Sequence, residues 1–296
     1  MSDTLENLRR KMDGAAKLGS VVRTMKALAA SNIGQYENAV RSLEDYHHTV
    51  QLGLFAFFRQ DGAAVGAERQ EQVREKTVGA VVFGSDQGLV GKFNEELTDF
   101  TVAELHALEG EKKIWAVGER LYSRLTDGGL EPVKMFAVAN SVTAVTPLVG
   151  QILGEFEMQR RKDEIGEVFL FHNRPISGAI YEPVRQRLLP LDEKWRSELT
   201  EISWPTANLP EVLVDDEATL QALIREYLFV SMFKACAESL ASENASRLAA
   251  MQRAEKNIDE LLEELTRTFH RLRQSTIDEE LFEVIAGYES LSITEQ

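Results

Sequence analysis

Apolar and small residues near the start of the chain step by alternating threes and fours. The series runs Val22, Met25, Ala29, Asn32, Tyr36, Ala39, Leu43, Tyr46, Val50. That is the spacing of a two-helix seam. The alternation returns at Ile258, Leu262, Leu265, Phe269, Leu272 and Thr276, and continues with a slip through Leu281, Ile285 and Tyr288. The pattern predicts one long helix over about 4–59 and another over about 216–286. All seven prolines fall between Pro132 and Pro210, so neither end carries the ~3 kcal/mol cost of a proline inside a helix. Gly14, Gly19 and Gly34 each weaken the first helix by about 1 kcal/mol relative to alanine, and are read as points of close approach or bending.

Between these ends the period changes. The runs TVGAVVFG, KIWAVG, VKMFAVA and EVFLFHN are short, β-rich and apolar, bounded by Gly, Asn or charges. Helical stretches FNEELTDFTVAELHAL, GERLYSRL and AVTPLVGQILGEFEMQRRK separate them. Such alternation predicts a mainly parallel sheet with helices on its faces. A last strand, GAIYEPVRQRLLP, suits an edge, where Pro183 is tolerated. RQDGAAVGAERQEQ reads as a loop, and DEKWRSELTEISWPTANLPE as a connection back to the second long helix. The chain thus divides into an N-terminal coiled-coil helix (1–60), an α/β domain with its connecting loops (61–210) and a C-terminal coiled-coil helix (211–296).

At about 1.5 Å per residue the two helices would measure about 80 and 105 Å. A compact domain of the size left between them has a radius of gyration of only about 14 Å. Helices projecting beyond such a body gain little from their own backbone. The economical solution is an antiparallel coiled coil of the two chain ends.

Charge narrows the function. The 296 residues carry a formal net charge of −15, which repels nucleic acid and anionic membranes. Between Arg9 and Lys26 stand six bases and one acid, whereas Asp278 to Glu295 holds six acids and no base. Each is a solvated face or a docking surface for a partner of opposite charge. The single cysteine, Cys236, sits among small residues and reads as a packed apolar thiol. No apolar run reaches a membrane-spanning length, so direct membrane insertion is not expected.

The only glycine-rich turn after a strand is FGSDQGLVGKFN. It fails the phosphate-loop pattern, since Asp86 and Phe93 occupy required positions, and it fails G-x-G-x-x-G because Gly84, Gly88 and Gly91 are spaced by four and three. Asp86 would also face any phosphate. Asp86, Gln87, Gly88 and Gly91 are therefore read as a tight strand-to-helix turn. His47 and His48 are adjacent and diverge by roughly 100° on a helix, so they share no metal face. His106, His172 and His270 lack companions at ligand spacing. No catalytic group, metal site or cofactor is expected.

RTMKALAAS (Arg23 to Ser31) and LASENASRLAAMQRAEKNIDELLEELTRTFHRLRQSTIDEELFEVIAG (Leu240 to Gly287) resemble the two terminal signatures of the γ subunit of F-type ATP synthases. SDQGLVGKFN (Ser85 to Asn94) is similar to that family's internal S-D-R-G-L-C-G-G-L-N motif. The resemblance implies a noncatalytic rotor shaft: a left-handed antiparallel coiled coil inside a hexamer of α and β subunits, with a Rossmann-like foot domain near the ε subunit and the membrane ring of c subunits. It implies ATP synthesis coupled to ion transport, at the cytoplasmic face of a bacterial inner membrane, with catalysis on the β subunits. By the same resemblance Met25 and Lys26 meet the hexamer, and Arg247, Arg273 and Gln274 are polar contacts of the C-terminal helix. From Ala235 to Ala250, ten of sixteen residues are Ala, Ser or Cys. A shaft in a narrow sleeve explains this as a smooth outer surface. The other reading is a small-residue seam in a closely packed helical core.

The chain departs from the family at Gln87, Lys92 and Phe93, in KLGSVVR (Lys17 to Arg23), and in the acidic ending YESLSITEQ. These departures point to a divergent bacterial branch of the alternative, sodium-type complexes. A function of another class also fits the pattern, namely a nucleotide-sensing adaptor with a Rossmann-like domain on a coiled-coil stalk.

Overall fold

The computed structural model describes residues 4–60, 77–163, 165–176, 179–191, 195, 197, 199, 201–208, 210, 212 and 217–294. The loop expected over 59–72 and the ending from Gly287 lie almost wholly outside the side chains described. The N-terminal pattern forms helix α1 (Leu5–Gln60). Strands β1 (Thr77–Phe83), β2 (Lys112–Val117), β3 (Lys134–Phe136), β4 (Ile165–Ile176) and β5 (Ala179–Leu189) alternate with helices α2 (Phe93–His106), α3 (Glu119–Asp127) and α4 (Val142–Asp163). The C-terminal pattern forms α5 (Glu217–Thr294), 78 residues without a break.

The sheet has five strands in the order β3-β2-β1-β4-β5. β1 runs parallel to β2 and β4, and β2 parallel to β3. Only β5 is antiparallel, on the edge beside β4, where Pro183 lies opposite Asn173. The chain winds outward from β1 to β3 and then returns to lay β4 on the other side of β1. That reversal places a topological switch point between β1 and β4, the position where such sheets ordinarily hold a ligand.

Alternation along β1 sorts the core into two layers. Val78, Ala80 and Val82 face α2 and α3, packing with Leu97, Leu105, Leu121 and Leu125. Val81 and Phe83 face the other way, with Trp115, Leu170 and the α4 residues Val145, Val149, Ile152 and Phe156. The same layer takes in Tyr36, Val50 and Leu54 of α1 and Met232, Ala235, Cys236, Leu240 and Ala241 of α5. Burying each large side chain stabilises by about 1.5–3 kcal/mol, so the terminal helices are part of the sheet's core.

Contacts divide the chain into two compact units, 1–28 with 248–296, and 29–247. Within the first, Gly19 comes close to Ile258, where an added Cβ would stand 3.4 Å from its Cγ2. Lys26 donates to Glu255 at 2.5 Å. Within the second, Asn32 donates to Asn244, Tyr46 to Glu226, and Gly53 lies against Leu223. In both units higher numbers on α1 meet lower numbers on α5, which is antiparallel pairing. The buried α1 series is Leu8, Ala15, Gly19, Val22, Ala29, Tyr36 and Val50, ending in the run Leu54 to Phe57. Tyr46, expected in the seam, is 44% exposed and reaches Glu226 through its hydroxyl instead. Of the three glycines read as points of close approach or bending, Gly19 is at a close approach. Gly14 and Gly34 have open space where a side chain would be.

Candidate functional site

Strand β1 ends at Phe83 and the chain turns through the glycine-rich segment. Gly84 is required there, because a Cβ would come 2.4 Å from the Leu121 Cβ. Asn94 braces the turn from the start of α2: its Oδ1 accepts from the Ser85 amide at 3.0 Å and its Nδ2 donates to the Ser85 hydroxyl at 2.7 Å. Gly91 adopts φ +60, the left-handed region that glycine tolerates. Asp86 lies at the centre. Its Oδ1 accepts from the Glu119 amide at 2.9 Å and its Oδ2 from the Val138 amide at 2.9 Å.

That geometry explains the turn's sequence. The N-terminus of α3 is electropositive and would attract an anion, but the protein's own carboxylate already sits on its first amide. Gln87 and Gly88 are exposed and make the outer bend. Asp86 holds three segments together: the turn, α3 and the β3–α4 connection.

The switch-point crevice is also filled from within. Helix α5 lies across the carboxyl ends of β1 and β4, and residues 235–244 are buried apart from half-buried Glu238. Ser239 donates to the Phe83 carbonyl at 2.8 Å, Ser242 to the Asn173 carbonyl at 3.0 Å, and Ser246 to the Val90 carbonyl at 2.6 Å. Glu238 meets His172 Nε2 at 2.8 Å, on a histidine only 2% exposed. The small residues of this stretch therefore let a helix approach a sheet. They do not form an outer shaft surface, and of the two explanations offered by the sequence, the closely packed core accounts for 235–246.

Arg247 is engaged inside its own chain. It bridges Glu243 at 2.6 Å, with side chains 13% and 7% exposed. Burial pushes the Glu243 carboxyl above its ordinary range, and the Arg247 guanidinium opposes that shift. Tyr36 of α1 lies beside the pair, its phenol likewise raised by burial and then by Glu243. Burial also pushes the Cys236 thiol up to about 12, which removes thiolate chemistry. Asn32 and Asn244 complete a polar layer between the helices.

The remaining expected residues lie elsewhere. Met25 is half-buried on α1, and Lys26 is taken up by Glu255. Arg273 and Gln274 are exposed on α5. The structure thus joins Asp86, Gln87, Gly88 and Gly91 in one turn and leaves the five helix positions dispersed. The His172–Glu238 pair escaped sequence reasoning, since 66 positions separate its members.

Among the described residues no group of three or more His, Cys, Asp or Glu is placed to hold a metal. No described helix is long and apolar enough to cross a membrane. A groove of about 930 Å³ lies at the other end of the strands, near Ile165 and Leu189, but its lining is mostly aliphatic and its Arg225 and Glu157 stand 4.0 Å apart.

A family model described as ATP synthase matches residues 4–291. The ATP synthase gamma chain of Desulfitobacterium hafniense is 27% identical over 289 residues, covering 96% of this chain and 98% of the relative. That of Laribacter hongkongensis is 28% identical over 293 residues, covering 95% and 97%. Among solved structures, a chain of the Euglena gracilis mitochondrial ATP synthase rotor is similar with a TM-score of 0.63 at 16% identity, covering 92% of this chain and 98% of that one. A chain of the Tetrahymena thermophila mitochondrial central stalk and c-ring gives 0.54 at 20% identity, covering 79% and 99%. The structural likenesses establish a shared fold.

Proposed function

The chain belongs to the ATP synthase family, and on that premise we propose that it is the γ-type central rotor shaft of an F-type complex. It transmits torque between a membrane ring of c subunits and a catalytic hexamer of α and β subunits. The end of α5 carries this reading. The seam with α1 fades at Thr276, and every residue from Ile277 to Ala286 is exposed. Ile277, Leu281, Phe282, Val284 and Ile285 leave 45–69% of their surface open. Ile277, Leu281, Val284 and Ile285 recur at helical spacing, with Asp278, Glu279, Glu280 and Glu283 on the remaining faces. A contiguous apolar stripe of this kind marks a surface that a partner encloses. An apolar sleeve suits it, since nonpolar contact is non-directional and permits turning.

Helix α1 presents a second stripe. Leu18, Val21 and Leu28 are 56–60% exposed. Met25 falls between them, and the exposed Lys17 and Arg23 flank the row. The matching partner surface is acidic with apolar contacts. Met25, Arg273 and Gln274 are therefore the proposed rotor–hexamer contacts. Lys26 acts through Glu255, tying α1 to α5, and Arg247 acts through Glu243 within α5 itself.

The chain performs no catalysis itself and takes no cofactor; ATP is made or hydrolysed on its partners. The sheet body faces the c-ring and the ε subunit, peripheral to the cytoplasmic face of a bacterial inner membrane. Co-expression with the α and β subunits tests the assignment. One copy of this chain is expected per three of each. A stable isolated monomer that never joins them would refute it.

A further inference from the structure

We propose that Ser239, Ser242 and Ser246 form a clamp that fixes α5 against the sheet, so that torque reaching the sheet body enters the helix without slip. The inference deepens the rotor reading and rests on it. The three hydroxyls stand at i, i+3 and i+7, on one face of the helix. Each donates to the backbone of a different segment: the end of β1 at Phe83, β4 at Asn173 and the turn at Val90. The serines are 2%, 0% and 4% exposed. Around them α5 packs through Ala235, Ala237 and Ala241 together with Cys236 and Leu240.

Apolar burial opposes separation of helix and sheet, but it resists sliding or turning weakly because it has no preferred direction. A hydroxyl-to-carbonyl bond does have one. Three such bonds along two turns of helix, with the His172–Glu238 contact beside them, define both the height and the rotation of α5 on the sheet. In a rotor, that is the position where a slipping joint would dissipate the load. The serines are thus positioning residues for energy coupling and take no part in chemistry.

The test is the triple variant Ser239→Ala, Ser242→Ala, Ser246→Ala in the assembled complex, in inverted membrane vesicles. ATP hydrolysis is measured beside ATP-driven uptake of protons, by a quenched acridine dye, and of sodium, by isotope. Hydrolysis is expected to stay within about twofold of the parent while ion uptake per ATP falls several-fold. In the isolated chain, amides of 83–85 and 172–174 are expected to exchange roughly 100-fold faster, from three lost buried hydrogen bonds. An assembled variant with the parent's uptake per ATP overturns the clamp. If the triple variant does not assemble, Ser242→Ala alone is carried through the same measurements, and a parental ratio overturns the proposal there. Failure of the parent chain itself to assemble refutes the rotor reading. Unchanged exchange at the strand ends refutes the clamp whatever the rotor does.

Discussion

Replacing Arg247 by methionine keeps most of the buried stem but removes the cation facing Glu243. Removing one partner of a buried pair costs about 3–5 kcal/mol when the other charge is left behind. Glu243, with a side chain 7% exposed, has little water to fall back on. Its escape is to bind a proton. Burial already raises its folded pKa above 4.5, and Arg247 is what restrains the rise. In Arg247→Met the folded value climbs further. A group with a raised folded pKa contributes stability that is fully present below the unfolded value and is lost as pH rises through the folded one. Within that window each pH unit is worth about 1.4 kcal/mol. The variant should therefore lose on the order of 1 kcal/mol near pH 5.5 and about 3–5 kcal/mol at pH 8. Urea unfolding of the isolated chain at the two pH values, followed by circular dichroism, measures the difference. The companion Glu243→Gln with Arg247→Met should recover most of the loss at pH 8. Equal losses at both pH values, or a loss below about 1 kcal/mol at pH 8, would show that Glu243 is solvated and the polar layer is no more than a surface pair.

Asp86→Ala strips the acceptor from the Glu119 and Val138 amides and should cost about 1–3 kcal/mol, read as a lowered urea midpoint with faster exchange at Val138; an unchanged midpoint would mean that water replaces the carboxylate. Leu281→Glu with Phe282→Glu alters residues 56% and 69% exposed. The chain's own stability should move by less than about 0.5 kcal/mol, while binding to the α–β hexamer falls at least about tenfold by native mass spectrometry. His47 stacks on Tyr227 at 5.7 Å, and burial, then Lys234 and His48, lower its pKa. Its contribution to stability is present above pH 6.5 and is lost as pH falls through the folded value. His47→Phe should flatten the stability profile on the acid side of pH 6.5 in a pH-dependent thermal melt.

The period of the apolar residues carried most of the architecture. Val81 and Phe83 alternate with Ala80 and Val82 because a strand between two helical layers must be apolar on both faces. The seam residues Val22, Ala29 and Tyr36 keep the three-four step because only that spacing holds a stripe against a second helix. What escaped was packing between elements distant in sequence. Composition alone cannot tell a small-residue helix face that meets solvent from one that meets a sheet, so residues 235–246 suited both accounts. Glu243 and Arg247 are four apart, and their pairing could have been read from spacing. Their burial could not, because it is set by packing between segments distant in sequence, which also brings Tyr36 of α1 near Glu243. The sequence alone marks Asp86 as unfit to hold a phosphate, yet its two amide partners, 33 and 52 positions away, belong to the fold alone.

The division into two compact units has a practical consequence for spectroscopy. The three tryptophans are Trp115, Trp195 and Trp204, and all belong to the unit spanning 29–247. Indole emission is consequently blind to residues 1–28 and 248–296, whereas helical dichroism registers both units. A melt in which the two signals coincide would mean that the units cooperate, and one in which ellipticity drops before emission would date the fraying of the tryptophan-free helices without any label being attached.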